Sequence, residues 1–179
     1  KKDGYAKIIY IGRKPKKVNT KLNNVMIDDK TGKGICVIDL DTIMPGLAMN
    51  DFGDSIRFGA STAAEDEIDL TKVSCDMNLY EIYLRGFLKG CNGKLTSKEM
   101  ELLPFGAKVM TFECGMRFLT DYLEGDHYFK IHRENHNLDR CRTQFKLVED
   151  MENKWEIMQK ITEKYRRMYK QEKSDYFGY

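Results

Sequence analysis

Three side chains near the N-terminus carry oxygen atoms at the spacing of a phosphotransfer site. Asn19 precedes Asn24 by five residues in "VNTKLNN", and Asp39 follows Asn24 by fifteen in "VIDLDT". Phosphoryl transfer from a nucleotide needs Mg²⁺ bound near the phosphates and a group that orients or deprotonates the acceptor hydroxyl. Amide and carboxylate oxygens suit Mg²⁺. The spacing alone does not separate such a site from ordinary β-turns, where Asn and Asp are also common.

The segment between these side chains predicts a β-hairpin. Val25 and Ile27 alternate with other residues before the turn-forming "DDKTGKG", and Ile35 and Val37 do so after it. The following "TIMPGLAMNDFGDSIRFGAS" is rich in glycine and small residues, which predicts a functional loop entering a short helix.

Helical spacing dominates the rest of the chain. A first helix is predicted to end at Gly90, with an apolar stripe through Leu79, Ile82 or Tyr83, and Phe87. "TSKE" at 96–99 is a capping box that predicts a helix start at Thr96.

Two further helices are expected. Pro104 and Gly106 are predicted to separate the capped helix from another near 107–123, whose stripe is Val109, Phe112, Met116, and Leu119 or Phe118. A long helix over roughly 138–172 is predicted from apolar spacing typical of core packing, at Met151, Trp155, Met158, Ile161, Tyr165 and Met168. A hairpin followed by helices indicates an α+β fold with its chemistry on the hairpin side.

Composition limits the other function classes. No run of about 18 apolar residues and no signal peptide is visible, so we expect a cytoplasmic protein that has no membrane partner. The five cysteines never form CxxC pairs, which favours reduced thiols. His132 and His136 stand in a polar run that indicates a loop rather than a zinc site. Residues 1–21 hold eight basic side chains against one acid, a pattern that we interpret as a solvated face rather than a nucleic-acid binder.

Two long blocks carry a resemblance to a known family. They are "NTKLNNVMIDDKTGKGICVIDLDTIMPGLAMNDFGDSIRFGASTAAEDE" and "LLPFGAKVMTFECGMRFLTDYLEGDHYFKIHRENHNLDRCRTQFKLVEDMENKW". The chain resembles the aminoglycoside-phosphotransferase-like kinases, closest to the N-acetylhexosamine 1-kinase branch, over about residues 18–160. The resemblance implies a protein-kinase-like C-terminal lobe over 18–179. Residues 1–17 would be a basic remnant of the segment between lobes, with the N-terminal nucleotide lobe largely absent.

The resemblance also implies roles for individual residues. It makes Asn24 and Asp39 the magnesium ligands, with Asp41 beside that site and contributing to substrate binding. Asp51 matches a structural acid that braces the catalytic loop.

Two further positions match the sugar pocket of this branch. Arg117 and Tyr128 fall in the block "GMRFLTDYLEGDHYF". From the residues alone, Arg117 could instead form a salt bridge on a helix surface and Tyr128 could pack in the core.

The catalytic loop departs from the family. Asn19 stands where the family has its catalytic Asp, so either the base has been replaced or residues are missing between Val18 and Thr20. Losing a general base costs about 10²- to 10⁴-fold in rate. The resemblance implies an ATP- and Mg²⁺-dependent sugar kinase acting on the anomeric hydroxyl of an N-acetylhexosamine, and without the catalytic Asp the chain is expected to be close to inactive as written. The alternative is a catalytically inactive sugar-binding or scaffold domain.

Overall fold

Short strands precede a helical body in the protein. The computed structural model describes residues 16–17, 25–38 and 44–176. The described strands are β1 (Lys16–Lys17), β2 (Val25–Ile27), β3 (Gly34–Val37) and β4 (Met44–Pro45). The described α-helices are α1 (Ala48–Gly59), α2 (Met77–Cys91), α3 (Ser97–Glu124), α4 (His136–Asn153) and α5 (Trp155–Tyr176), and a short 3₁₀ helix spans Leu70–Lys72. This is an α+β chain that is mostly helical, as the sequence predicts.

The predicted hairpin is present. β2 and β3 pair antiparallel, with Val25 opposite Val37, and β1 pairs antiparallel with β4. The turn is built on Asp28, whose Oδ1 accepts hydrogen bonds from the backbone N–H groups of Lys30 (3.1 Å) and Thr31 (2.6 Å). Gly32 then adopts φ +65°, a left-handed conformation that glycine reaches without a steric penalty.

α1 lies in the segment predicted as a functional loop entering a short helix, and its 12 residues take up much of that segment. It crosses α3 at very short range, because glycines stand at the crossing point on both helices. A Cβ atom on Gly53 would lie 2.3 Å from the carbonyl oxygen of Gly106, and one on Gly106 would lie 2.1 Å from that of Met49. The glycines therefore act here as packing residues.

Helix ends follow the local chemistry of the sequence. The Asp76 carboxylate caps α2 by accepting from the N–H groups of Asn78 and Leu79, and α2 ends at Cys91, one residue beyond the predicted Gly90. The capping box of α3 is confirmed: Thr96 Oγ1 accepts from the N–H of Glu99, and a Glu99 carboxylate oxygen accepts from the N–H of Thr96.

The predicted break near Pro104 is wrong. α3 continues from Ser97 to Glu124 with Pro104 inside it. Pro104 is fully buried, and Gly106 provides the crossing with α1, so tertiary packing retains both residues within one helix. The predicted α3 stripe joins the buried face only at Phe118. Phe112 is 48% and Met116 49% exposed, whereas the other buried α3 side chains include Leu103, Ala107 and Thr111.

The single long helix predicted over 138–172 is two helices. α4 ends at Asn153 and α5 begins at Trp155. Lys154 stands at the break, and its ammonium group donates to Ser74 Oγ (2.6 Å), the Cys75 carbonyl oxygen (3.0 Å) and an Asp150 carboxylate oxygen (2.8 Å). These contacts tie the junction to the chain just before α2.

The core lies among the five described α-helices. Phe52 of α1 contacts Tyr80 and Phe87 of α2, with ring centroids 5.7 and 5.3 Å apart. The predicted Met and aromatic stripe contributes its buried members to this core, namely Met151, Met158 and Tyr165. In the described part of the chain no helix has both the length and the apolar character needed to cross a membrane.

Candidate functional site

Two of the residues that the resemblance assigns to substrate binding lie together at the C-terminal end of α3. An Arg117 guanidinium nitrogen lies 3.5 Å from the Tyr128 hydroxyl oxygen, at the limit of a hydrogen bond. The guanidinium carbon also lies 5.7 Å from the ring centroid of Tyr128 and 5.3 Å from that of Phe129, both within cation–π range. Arg117, Tyr128 and Phe129 therefore form one cluster, which we call the Arg–Tyr cluster.

The Arg–Tyr cluster faces solvent. Tyr128 is 74% exposed, so the alternative that Tyr128 packs in the core is wrong. The other alternative, a helix-surface salt bridge for Arg117, is present in a weak form, since Arg117 Nε lies 3.8 Å from a Glu113 carboxylate oxygen with both side chains about half exposed. Exposed pairs of this kind contribute about 0–1 kcal/mol. Arg117 thus keeps hydrogen-bond donors that a ligand could use.

Phe129 anchors the exposed cluster to the protein. Its ring contacts the buried Phe118 of α3, with centroids 4.7 Å apart, and meets the ring of Tyr128 edge-on at 4.8 Å. Phe118 in turn lies under the Arg140 guanidinium of α4, which is 5.4 Å from its ring centroid. Tyr128 is therefore exposed on a segment whose next residue is packed against α3.

A buried carboxylate on α3 binds the backbone of the same segment. Asp121 is 4% exposed and lies one helical turn beyond Arg117. Its Oδ1 accepts from the N–H of Tyr128 at 2.7 Å, and its Oδ2 accepts from the N–H of Phe129 at 2.9 Å. Burial acts to raise the pKa of Asp121, but these hydrogen bonds and one from the His127 N–H outweigh it, and the pKa falls below its ordinary value.

α4 closes this network from the other side. The buried Asn137 amide donates 2.8 Å hydrogen bonds to Asp121 Oδ2 and to Asp126 Oδ1. The Asn137 side-chain oxygen Oδ1 accepts from Arg140 at 3.0 Å, and the same Arg140 nitrogen donates to the Lys130 backbone carbonyl oxygen at 3.3 Å. The segment that carries Tyr128 is thus hydrogen-bonded to both α3 and α4.

Asp51, the predicted structural acid, lies in the first turn of α1 and is partly buried. Burial raises the pKa of the neighbouring Cys91 thiol to about 12, and the Asp51 carboxylate adds to the rise. Asp51 therefore lies beside the end of α2, on the helix that crosses α3 through Gly53 and Gly106.

The remaining predicted site residues lie outside the described residues. They are Asn19, Asn24, Asp39 and Asp41. The structure describes the hairpin that separates Asn24 from Asp39 in the sequence, and the Val25 and Val37 pair stands at its open end. The roles of these four residues stay predictions.

The prediction that His132 and His136 lie in a loop is wrong for His136. His136 begins α4 and is buried. Its Nδ1 accepts from the backbone N–H of His132 at 3.1 Å, and its Nε2 lies 3.0 Å from an Asp66 carboxylate oxygen. Both ring nitrogens of His136 thus have protein partners.

Most of the cysteines behave as packing residues. In the described part of the chain no disulfide bond is formed, and Cys75, Cys91 and Cys141 are buried while Cys36 is exposed. Burial raises the pKa of Cys114 to about 11, although Arg57 beside it acts in the opposite direction. A thiol with so high a pKa is a poor nucleophile at neutral pH.

The search against protein-family models gave no match to this chain.

The sequence did not indicate Asp121, Asn137 or Phe129 as parts of the site. Asp121 follows Arg117 by four residues, which is one helical turn, so a helical projection of "RFLTD" would have placed both on neighbouring positions. No local pattern connects Asn137 with this end of α3, because the contact is made between helices.

Proposed function

We propose that this chain is the substrate-binding C-terminal lobe of an ATP- and Mg²⁺-dependent sugar kinase, whose acceptor is the anomeric hydroxyl of an N-acetylhexosamine. One observation carries the proposal. Arg117 and Tyr128, which the family resemblance assigns to the sugar pocket, lie eleven residues apart in sequence and are in contact on an exposed surface. A ligand with several hydroxyl groups can use both the guanidinium donors and the phenol hydroxyl.

The Arg–Tyr cluster suits positioning of a sugar. The Arg117 guanidinium offers charged donors in a fixed plane, and charge-assisted hydrogen bonds are about twice as strong as neutral ones. The exposed Tyr128 ring adds an apolar face for the C–H groups of a pyranose. Phosphoryl transfer depends mainly on positioning and electrostatics, so a sugar held here by its hydroxyl groups would have its anomeric oxygen oriented for transfer.

The expected magnesium ligands fit the ion by their chemistry. Asn24 and Asp39 supply one amide and one carboxylate oxygen, and Mg²⁺ is commonly bound by one or two protein carboxylates together with phosphates and water. When bound, the ion neutralises charge on the phosphates of ATP. Asp41 would lie beside this site, and Asp51 would brace the catalytic loop from α1.

The fold supports the same proposal at a coarser level. A β-hairpin is followed by a mostly helical body, and α1 is locked to α3 through Gly53 and Gly106. This order of elements agrees with a kinase-like C-terminal lobe, in which the hairpin carries the metal ligands and the helices carry the acceptor site.

A second candidate is a sugar-binding or scaffold domain that has lost catalysis. Asn19 favours it, because an amide at the position of the family's Asp cannot accept the proton of the acceptor hydroxyl. Both candidates predict sugar binding through Arg117 and Tyr128. They differ in turnover, which only the first predicts for the natural gene product.

Sugar binding is the first test. We would titrate the chain with N-acetylglucosamine and N-acetylgalactosamine by calorimetry and compare Arg117→Ala with the control Arg167→Ala, an arginine that is 76% exposed on α5. Losing a charged hydrogen bond costs about 1.5–3 kcal/mol, so Arg117→Ala should weaken binding about tenfold or more. Tyr128→Phe should weaken binding less than Arg117→Ala does. Tyr122→Phe removes a hydroxyl that donates to Asn135 and should leave sugar binding unchanged.

Two results would contradict the proposal: no saturable sugar binding, or equal affinities for Arg117→Ala and Arg167→Ala. Turnover then separates the two candidates. Sugar 1-phosphate formed from ATP by the natural gene product supports the kinase. Sugar binding without turnover, in a chain that carries Asn19 and in the Asn19→Asp variant, supports the inactive binding domain.

A further inference from the structure

The segment after α3 reverses direction sharply before it reaches Tyr128. Gly125 and Asp126 both have left-handed backbones, with φ +99° and +60°. Aspartate is among the few non-glycine residues that adopt this conformation readily. Two consecutive left-handed residues turn the chain back along α3, so that Tyr128 and Phe129 come to lie over Arg117 rather than beyond the helix end.

The Asp121 carboxylate is not needed to end the helix. α3 is terminated by its backbone, since the N–H of Gly125 bonds the carbonyl oxygens of Asp121 and Tyr122, and the N–H of Asp126 bonds the Asp121 carbonyl oxygen. This is the ordinary way in which a glycine closes a helix. Both side-chain oxygens of Asp121 are instead used seven and eight residues further on, by the N–H groups of Tyr128 and Phe129.

The burial of Asp121 makes this arrangement specific. A carboxylate that is 4% exposed must be compensated by hydrogen bonds, and Asp121 receives them from backbone N–H groups, including those of Tyr128 and Phe129, and from the Asn137 amide. An N–H group left without an acceptor costs about 1–3 kcal/mol when buried. Asp121 therefore ties the backbone of Tyr128 and Phe129 to the helix that carries Arg117.

From this geometry we infer that Asp121 is a positioning residue of the sugar site, which holds Tyr128 over Arg117 and so preorganises the Arg–Tyr cluster before a ligand binds. The inference rests on the proposed function for the identity of the ligand. Asp121 itself makes no contact with the ligand in this scheme. Its effect is to reduce the freedom that Tyr128 would otherwise lose on binding.

Asp121→Asn is the sharpest variant, because it keeps the shape of the side chain and replaces one acceptor oxygen by a donor that faces backbone N–H groups. Asp126→Asn is its matched control. Asp126 lies in the same turn, and Asn retains the acceptor oxygen that Asn137 uses and tolerates the left-handed backbone. Both variants remove one negative charge, so a purely electrostatic effect on the ligand would appear in both.

The first readout needs no sugar. Amide hydrogen exchange, measured by NMR, should accelerate at Tyr128 and Phe129 by about tenfold or more in Asp121→Asn, and change little in Asp126→Asn. The second readout is the affinity for the N-acetylhexosamine that binds the wild type. It should fall about tenfold in Asp121→Asn, change less than about twofold in Asp126→Asn, and fall no further when Asp121→Asn is added to Tyr128→Ala.

The outcomes are separable. Unchanged exchange at Tyr128 and Phe129 in Asp121→Asn would overturn the inference, and so would faster exchange with unchanged sugar affinity. A wild type that binds no sugar would overturn the proposed function and the ligand named here, while the exchange data would still report whether Asp121 holds the segment. If Asp121→Asn does not fold, Asn137→Ala serves the same readouts, since Asn137 links Asp121 to Asp126.

Discussion

Gly106→Ala should destabilise the protein strongly, although it replaces a glycine inside a helix. An added Cβ would lie 2.1 Å from the carbonyl oxygen and 2.7 Å from the carbonyl carbon of Met49, and real Cβ atoms essentially never approach closer than 3.0 Å. The atoms in contact belong to the α1 backbone. No side chain can rotate away, so α1 and α3 would have to separate.

The magnitude follows from two opposing effects. Alanine is favoured over glycine in a helix interior by about 1 kcal/mol. Overpacking typically costs 1–3 kcal/mol, and a clash between two backbones belongs at about 3 kcal/mol or above. We therefore expect Gly106→Ala to lower the free energy of unfolding by about 2 kcal/mol. In a domain of this size that corresponds to a fall in Tm of about 4–8 °C.

Urea unfolding followed by circular dichroism measures this change. The control is Thr120→Ala, at an exposed position of the same helix, which should change stability by no more than about 0.5 kcal/mol. Gly53→Ala tests the other side of the crossing, and its effect should not add to that of Gly106→Ala because one helix separation relieves both clashes. A Gly106→Ala protein as stable as the wild type would refute the close crossing of α1 and α3.

Three other features give predictions of the same kind. In the native protein a thiol reagent should modify the exposed Cys36 rapidly and leave Cys75 unmodified, because burial raises the pKa of Cys75 to about 12; equal rates, seen by mass spectrometry, would contradict this. Burial opposes the ionisation of Asp150, but its hydrogen bonds lower its pKa below the ordinary 3.8. Urea unfolding should therefore show wild type more stable than Asp150→Asn by a constant amount above about pH 5, and this difference should shrink as the pH falls below 3.8. A difference that grows in acid would contradict the lowered pKa of Asp150. Arg57→Met should lower the free energy of unfolding by about 2 kcal/mol in the same assay, because the Arg57 side chain is 6% exposed and bridges two carboxylates. The control Arg167→Met should leave the free energy of unfolding unchanged.

The sequence predicts the parts of this fold that depend on neighbouring residues. The predictions of the hairpin over 25–37 and of the capping box at Thr96 are both confirmed. The turn of the hairpin and the capping box each depend on side chains that lie within a few positions of the backbone groups they bind. The α+β class followed from them. Local hydrogen bonding of this kind is visible in one short stretch of letters.

The errors occur where distant contacts determine the backbone. Pro104 and Gly106 have the composition of a helix break, but Gly106 is required by the approach of Met49, fifty-seven residues earlier in the chain. The α4–α5 junction is the opposite case, a helix break whose composition does not indicate one. It contains neither Pro nor Gly, and Lys154 binds Ser74 and Cys75, eighty and seventy-nine residues away. The spacing of apolar residues in the sequence does not reveal either contact.

The residues of the candidate site likewise fall into those that the sequence could indicate and those that only contacts between helices reveal. Arg117 and Tyr128 could be named from a sequence block, and the structure places them in contact. The groups that hold them, Asp121 and Asn137, could not be named, because the Asn137 amide reaches Asp121 from another helix. A resemblance can suggest side chains for a binding site, but it does not reveal the hydrogen bonds between helices that orient them.

α3 connects the contact with α1 to the proposed sugar site. Its N-terminal half is fixed against α1 at Gly106, and α1 carries Asp51. Its C-terminal half carries Arg117 and, through Asp121, holds Tyr128. A displacement of α1 from α3 would therefore alter the distance between the catalytic loop that Asp51 is expected to brace and the proposed sugar site. For this reason Gly106→Ala should weaken turnover more than sugar binding in any form of the protein that is active, because Arg117 and Asp121 of α3 would keep their contacts with Tyr128.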